Sequence, residues 1–304
     1  MSRADALHLT KHHGAGNDFL VHLDTHGRGA LSGAEVRALC DRHRGIGADG
    51  LIRGTVGGSG GLRMELRNAD GSPAEMSGNG IRCLVQAAVD AGLAEVGRVE
   101  VHTDAGARWV EYRRGGEAGL GYGRVGMGPP VLGERVEAEV PGLRWAQRVD
   151  MGNPHVVLFG EPVPDHVVHG VGPALERSVP GGANVEFVWP GADGGTLVLR
   201  VWERGVGETL ACGTGACAVA AAAQAHGDVA SSVRIVSPGG PLDVELTAHE
   251  AVLGGPVRRV GEVVVDGAAL WSMARAQQDA EPAAATAPPA TPAGGAPPQV
   301  AARP

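Results

Sequence analysis

The chain has 304 residues and a net charge of −8 at neutral pH, so it can form one large domain or two lobes, and a nucleic-acid partner is not expected. Four cysteines show neither a CxxC pair nor a disulfide framework. The N-terminal segment lacks the apolar core of a signal peptide, and no apolar stretch reaches the length of a membrane span. We therefore expect a soluble cytoplasmic protein.

The first half of the chain consists mainly of short alternating segments. Alternation of apolar and polar residues predicts a half-buried strand, whereas Ser with Glu three residues later predicts a helix start. The second signal occurs at Ser32 and Glu35, which predicts a helix from Ser32 to His43. Strands are predicted on both sides of a Gly-Asn-Asp turn within 8–24, and over 64–68, 99–112 and 120–125.

The second half repeats this plan. Strands are predicted over 145–151, 155–159, 185–189, 196–202, 233–236, 242–246 and 263–265. The polar stretch 126–136 is the expected junction. We expect an N-terminal lobe of residues 1–127, completed by 258–272, and a C-terminal lobe of residues 128–257. The Ala/Pro-rich segment 273–304 has no aromatic residue and is expected to be a disordered tail.

A turn that occurs twice is the most informative feature of the sequence. The first copy, MSGNG at 76–80, precedes an apolar run, and the second, ACGTG at 211–215, precedes an Ala-rich run. Gly with Asn or Thr suits a helix start, so each copy predicts the entry to a buried helix. The expected fold is α+β, with two pseudo-symmetric β-rich lobes that each wrap a central helix.

The same turn suggests a chemistry. A helix start presents free N–H groups and the positive end of the helix dipole, which favour an anion. Two such starts facing each other across a cleft can hold one carboxylate. Ser77 and Cys212 occupy equivalent positions in the two copies, so they would lie on opposite sides of the adjacent carbon. A two-base racemase or epimerase requires this layout.

Cys212 has two interpretations. A cysteine is most often a small buried hydrophobe, but Cys212 lies at a predicted helix start, where the pKa of a thiol falls, so we favour a reactive thiol. Cys83 and Cys217 lie inside the predicted helices and are expected in the core. His155 and Glu203 are candidates for tuning the pKa of the thiol. For Glu203, a surface salt bridge with the following arginine is the alternative.

Asparagine is rare in this chain and occurs only in short polar segments. Asn tolerates left-handed backbone, so each could be a turn residue, but all five placements together favour ligand contacts: Asn17, Asn68, Asn79, Asn153 and Asn184. No cofactor or metal is expected. Lys11 is the single lysine that could carry pyridoxal phosphate. The spacing of metal ligands, of a phosphate loop and of a Gly-x-Ser-x-Gly hydrolase is absent.

The chain resembles diaminopimelate epimerases, of the cofactor-independent epimerase and racemase superfamily. The resemblance covers residues 7–267 and rests on HHGAGNDF, DRHRGIGADGL, RNADGSPAEMSGNG, DMGNPH, NVEF, WERGVGETLACGTGACA and SPGG. It implies a homodimer with the active site between the lobes of each chain, and catalytic roles for Ser77 and Cys212. It implies that the reacting carboxylate is held by Gly78, Asn79, Gly213 and Thr214. It further implies substrate contacts from Asn17, Asn68, Asn153 and Asn184, distal contacts from Glu203 and Arg204, and pKa modulation by His155 and Glu203.

Two positions depart from the family pattern. Ser77 stands where the family carries its first catalytic Cys, and a hydroxyl is a far weaker base than a thiolate. Gly50 stands where many members carry Gln, so a contact to the far end of the substrate is missing.

Three functions therefore remain open. The leading hypothesis is an isomerase that interconverts LL- and meso-2,6-diaminoheptanedioate in lysine and peptidoglycan synthesis. A racemase or dehydratase acting on a hydroxyproline-type substrate, and a non-catalytic amino-acid binder, are the alternatives. A zwitterionic far end of the substrate requires both an anion and a cation in the protein, and the chain keeps the set that suits it: Asn68, Asn184, Glu203 and Arg204.

Overall fold

A computed structural model describes residues 6–57, 61–74 and 76–285, with backbone alone from 277 onward. The described helices are α1 (Gly33–Cys40), α2 (Gly78–Asp90), α3 (Asp165–Ser178), α4 (Gly213–Ala225) and α5 (Gly267–Ala285). The described strands are β1 (Leu7–Gly14), β2 (Asn17–Leu23), β3 (Gly50–Val56), β4 (Leu62–Asn68), β5 (Pro73–Ala74), β6 (Gly97–Thr103), β7 (Gly106–Arg114), β8 (Leu120–Gly128), β9 (Val131–Arg135), β10 (Trp145–Asp150), β11 (Pro154–Phe159), β12 (Asn184–Pro190), β13 (Thr196–Glu203), β14 (Gly207–Thr209), β15 (Ser232–Ser237), β16 (Gly240–Leu246) and β17 (Ala251–Val265).

The two halves repeat each other strand pair for strand pair. β1 is antiparallel to β2 and β2 is parallel to β3, and β10, β11 and β12 reproduce both pairings. β4 is antiparallel to β3 and parallel to β6, as β13 is to β12 and β15. Each half closes with an antiparallel meander, β6-β7-β8 and β15-β16-β17. The predicted pair of pseudo-symmetric β-rich lobes is confirmed.

β17 belongs to both halves. Residues 251–254 pair with β16, residues 251–258 pair with β8, and residues 258–265 pair with β1. β9 lies within the expected junction and pairs with β10. The division into 1–127 with 258–272 and 128–257 stays a prediction.

Each central helix is buried inside its own half. α2 packs against β1, β2, β8 and β17, and α4 packs against β10, β11, β12, β16 and β17. Ala216–Ala223 of α4 is at most 5% exposed at any position. Because alanine has no side chain beyond Cβ, the sheet can approach the α4 backbone closely on all sides.

The remaining helices cover the outer faces. α1 and α5 pack on the first half around Leu7, Leu39 and Leu270, and α3 packs on the second. The capping box predicted for α1 is confirmed: the Ser32 hydroxyl accepts the Glu35 N–H at 3.3 Å, and the Glu35 carboxylate accepts the Ser32 N–H at 2.7 Å.

Three expectations need correction. The strand predicted over 99–112 is the hairpin β6-β7, since Gly106 (φ 99°) completes a turn there. α1 ends at Cys40 rather than His43. α5 extends to Ala285, so residues 273–285 of the expected tail are helical, and 286–304 lie outside the described residues. α3 was not predicted at all.

Candidate active site

The repeated turn forms the start of both central helices. Ser77 is the N-cap of α2, and its Oγ accepts the Gly80 N–H at 3.0 Å. Cys212 is the N-cap of α4, and its Sγ accepts the Gly215 N–H at 3.4 Å. The hydroxyl and the thiol therefore occupy equivalent positions, as the alignment of the two copies predicts.

The two helix starts face each other at close range. A Cβ atom on Gly213 would lie 3.5 Å from the Gly78 Cα and 3.8 Å from the Asn79 backbone nitrogen. A Cβ atom at Gly78 or Gly213 would also lie only 2.7 or 2.9 Å from Leu253 Cδ2. Glycine at both positions is thus what allows the two N–H-rich ends to converge on one region.

A second close approach joins the halves beside this region. A Cβ atom on Gly239 would lie 1.9 Å from the backbone oxygen of Ala15, so the SPGG turn requires glycine where it meets the turn between β1 and β2. Ala15 itself has a φ of 50°. This contact fixes Asn17, two residues further, relative to the second half.

The first half contributes three of the five asparagines. Asn79 is buried, and its Nδ2 donates to Asn17 Oδ1 at 3.4 Å. Asn17 Nδ2 in turn donates to Asp49 Oδ2 at 2.7 Å, a partner that the sequence did not suggest. Asn68 is exposed at the end of β4, opposite Gly50. Asn17 and Asn79 therefore lie together, whereas the Asn68 side chain donates to Ser72 Oγ at 3.1 Å.

The second half contributes a chain of hydrogen bonds that ends at the thiol. Glu186 Oε1 lies 2.6 Å from His155 Nδ1, and His155 Nε2 lies 3.0 Å from Asn153 Oδ1. Asn153 Nδ2 donates to Thr214 Oγ1 at 3.4 Å, and Thr214 Oγ1 lies 3.4 Å from Cys212 Sγ. The side chains of His155 and Glu186 are fully buried. The structure thus connects His155 to Cys212, and adds Glu186, which was not predicted.

Glu203 is the last residue of β13 and Arg204 follows it, and the two side chains have different partners. The Glu203 carboxylate accepts a hydrogen bond from Thr209, and burial raises the pKa of Glu203. The Arg204 N–H donates to Asn184 Oδ1 at 3.0 Å, and its exposed guanidinium donates to the Gly181 oxygen at 3.2 Å. Glu203 and Arg204 form no ion pair with each other, so the alternative of a surface salt bridge between them is not observed.

The pKa of Cys212 is raised well above its usual value, which corrects the expectation of a lowered one. Burial is the main cause, and the carboxylates of Glu203 and Glu186 act in the same direction. The hydrogen bonds from Thr214 and Gly215 oppose this effect without cancelling it. Cys212 is therefore a protonated thiol, which can donate a proton.

The other helix cysteines are core residues, as predicted. Cys83 and Cys217 are fully buried, and burial raises the pKa of each to about 12. Both are therefore inert thiols.

A groove of about 970 Å³ lies between the halves beside this region. Its lining includes Ala211, one residue before Cys212, which is itself 7% exposed. The polar residues that line it are Lys11, His13, Asn17, Asp18, Arg42, Asp49, His169, Glu208 and Thr209.

The described part of the chain shows neither a metal-ligand cluster nor a membrane-spanning helix. Within 6–57, 61–74 and 76–285, no three His, Cys, Asp or Glu side chains converge as metal ligands would. No helix in this part of the chain is long and apolar enough to cross a membrane.

The repeated halves and the opposed helix starts define a member of the two-lobed racemase and epimerase fold. A probable proline racemase from Agrobacterium radiobacter K84 shares this fold with a TM-score of 0.67, at 18% identity over 85% of this chain and 92% of that one. More specifically, the chain belongs to the diaminopimelate epimerase family, whose profile matches residues 9–133 and 148–260.

Two curated diaminopimelate epimerases are among its relatives. The protein from Leptospira biflexa is 37% identical over 280 residues, which covers 85% of this chain and 99% of the relative. The protein from Desulforudis audaxviator is 39% identical over 273 residues, which covers 84% of this chain and 97% of the relative.

Proposed function

We propose that this protein is an isomerase that interconverts LL- and meso-2,6-diaminoheptanedioate by proton transfer at the α-carbon, in lysine and peptidoglycan synthesis. The observation that carries the proposal is the pair of opposed helix starts, capped by Cys212 on one side and Ser77 on the other. Family membership supports the substrate. We expect a cytoplasmic homodimer that needs no cofactor, as the family resemblance implies.

The α-carboxylate would bind between the two helix starts. The first N–H groups of a helix have no partner within it, so those of Gly78, Asn79, Gly213 and Thr214 can donate to this anion. When the α-proton leaves, the electron pair of the C–H bond moves into the carboxylate, which becomes an enediolate with a second negative charge. The same N–H groups stabilise that charge best because they are already in place.

Cys212 and Ser77 would serve the two faces of the α-carbon. In one direction the Cys212 thiolate removes the proton and Ser77 donates one to the opposite face. In the other direction Ser77 must accept the proton and the Cys212 thiol donates. The raised pKa of Cys212 suits the donating role at rest, and the accepting role requires stabilisation of the thiolate.

The hydrogen-bond chain from Glu186 can supply that stabilisation. When the His155 ring carries protons on both nitrogens, Nε2 donates to Asn153, Asn153 donates to Thr214, and Thr214 donates to the sulfur. From His155 Nε2 onward, each donor then points toward Cys212, while Nδ1 donates to Glu186. Glu186 balances the positive charge of the ring through Nδ1, as a carboxylate does in catalytic triads.

We expect Glu186→Gln to lower kcat by at least about ten-fold, because an amide cannot balance a charged imidazole. The matched control is Glu35→Gln, a second buried glutamate, whose capping box an amide can maintain. Steady-state kinetics from each stereoisomer, with thermal unfolding of both variants, measures the effect. Equal kcat in wild type and Glu186→Gln would remove Glu186 from the mechanism.

The far end of the substrate would bind at the loop after β13. Glu203 would take the distal ammonium group and Arg204 the distal carboxylate, with Asn68 and Asn184 beside them. Asn184 already holds the loop through the Arg204 N–H. Among the described residues, the partner of the exposed Arg204 guanidinium is a backbone oxygen alone, so the side chain can turn to a carboxylate at small cost.

Arg204→Lys should weaken diaminoheptanedioate binding by roughly ten-fold or more, because lysine keeps the charge but loses the two-pronged hydrogen bond. The control is Arg234→Lys in β15, which changes an exposed arginine that forms an ion pair with Asp243. Calorimetric titration of an unreactive substrate analogue measures the affinity. Unchanged affinity in Arg204→Lys would indicate a smaller substrate.

The alternative of a proline-type substrate is not favoured. The relatives that match most of the chain at 37–39% identity are diaminopimelate epimerases, whereas the proline racemase is 18% identical and shares only the fold. Incubation with LL-diaminoheptanedioate, followed by chiral chromatography, tests the proposal, and trans-4-hydroxyproline serves as the comparison substrate. Appearance of the meso isomer alone supports the proposal, and conversion of hydroxyproline alone contradicts it.

A further inference from the structure

Arg82 is a buried cation that the proposed mechanism does not yet use. It lies one turn into α2, and its side chain is 0% exposed. Nη1 donates to the Gly78 backbone oxygen at 3.0 Å and Nη2 donates to Asn79 Oδ1 at 2.7 Å. Its Nε has no hydrogen-bond partner among the residues that the structure describes. The guanidinium therefore lies directly against the turn whose N–H groups face α4.

No carboxylate compensates this charge within the described part of the chain. Arg82 forms no ion pair there, and the neighbours that act on its pKa are Cys83, Tyr122 and Cys217. Burial lowers the pKa of Arg82 to about 10, so the side chain is still positively charged at neutral pH. Burial of an isolated charge lowers the stability of the fold, so a benefit to function must offset this loss.

The fold makes room for this side chain at three strand positions. Cβ atoms on Gly14 of β1 and Gly255 of β17 would lie 3.1 and 3.0 Å from Arg82 Nη2, and one on Gly123 of β8 would lie 2.9 Å from its Cδ. Three different strands thus lack side chains where the arginine lies. A structural role alone would be met at lower cost by an apolar side chain in the same space.

We propose that Arg82 is a positioning residue that provides the counter-charge for the substrate's α-carboxylate and for the enediolate formed from it. This inference rests on the proposed function. Arg82 acts through the helix start: it fixes Gly78 and Asn79 by two hydrogen bonds and places a full positive charge behind their N–H groups. Its contribution is largest when the carboxylate gains its second negative charge, so Arg82 should affect kcat more than KM.

The test removes the positive charge of Arg82 and keeps a side chain of similar volume. We expect Arg82→Met to lower kcat for diaminoheptanedioate by at least about ten-fold, while Arg82→Lys retains most of the activity because it keeps the charge. The thermal stability of Arg82→Met should be equal to or above that of wild type, since an uncompensated buried charge has been removed. Gln86→Met, one turn further along α2 and equally buried, should leave kcat near wild type.

A ligand-side measurement separates charge from packing. Inhibition constants are compared for an unreactive substrate analogue and for the same analogue with its α-carboxylate converted to the carboxamide. Wild type and Arg82→Lys should prefer the carboxylate strongly, and this preference should be measurably smaller in Arg82→Met. If Arg82→Met does not fold, Arg82→Gln, a neutral polar variant, takes its place in both measurements.

Several results would overturn the inference. Unchanged kcat in the neutral variant, an unchanged preference for the carboxylate, or equal losses in Arg82→Lys and Arg82→Met would each do so. Absence of epimerisation by wild type would instead reject the proposed function, so the two failures are distinguishable.

Discussion

Substitution of Cys212 by Ala is expected to lower exchange of the substrate's α-proton by 10²–10⁴-fold, roughly the contribution of a general acid–base group, and so to abolish it in practice. Cys212 caps the start of α4, which faces the start of α2, and the hydrogen-bond chain from Glu186 ends on the Cys212 sulfur. The fold should persist, because the main local loss is the hydrogen bond from Gly215, a cap worth about 1 kcal/mol.

Cys217→Ala is the matched control for this substitution. It removes the same side chain from the same helix, at a fully buried core position. Exchange of the α-proton into solvent should be near wild type in Cys217→Ala and lost in Cys212→Ala. Normal exchange in Cys212→Ala would remove the thiol from the mechanism.

Replacement of Ser77 by Cys is expected to speed epimerisation by up to roughly 10²-fold, because the pKa of a thiol lies closer to the working pH than the pKa of a hydroxyl. The geometry allows this change, since Cys212 caps α4 in the equivalent position with its sulfur 3.4 Å from the Gly215 nitrogen. A thiol at 77 can cap α2 in the same way. Both directions must gain together in kcat/KM, because a catalyst leaves the equilibrium unchanged.

The structure limits which side chains could relay a proton to or from the Ser77 hydroxyl. The His155 ring bonds Glu186 and Asn153 rather than the Ser77 hydroxyl, and Glu75, two residues before Ser77, lies outside the described residues. Initial rates from each stereoisomer, wild type against Ser77→Cys, measure the effect, with Ser32→Cys at the cap of α1 as the control. A slower Ser77→Cys variant would mean that the site is built around serine.

Much of the architecture could be predicted because the sequence carries the repeat. The two turns and the alternating strands were sufficient to predict two lobes around two helices. α3 is the counterpart of α1 in the second half, but it was not predicted. Propensity alone misses α3, since Gly170, Gly172 and Pro173 interrupt it and Pro164 offers no side-chain cap.

The electrostatics of the site were harder to predict. One feature of the sequence could have indicated Glu186. It alternates with Asn184 on β12, and the parallel register places Asn184 beside His155. No feature of the sequence could have indicated the role of Arg82, because its burial depends on glycines in three distant strands. The raised pKa of Cys212 depends on burial and on two carboxylates that only the fold brings near the thiol.

The most direct test of the account is incorporation of solvent deuterium at the α-carbon. In D₂O, wild type should label both LL- and meso-2,6-diaminoheptanedioate at the α-carbon and should leave hydroxyprolines unlabelled, and Cys212→Ala should label neither isomer. Labelling of hydroxyprolines without labelling of diaminoheptanedioate, or undiminished labelling by Cys212→Ala, would contradict it.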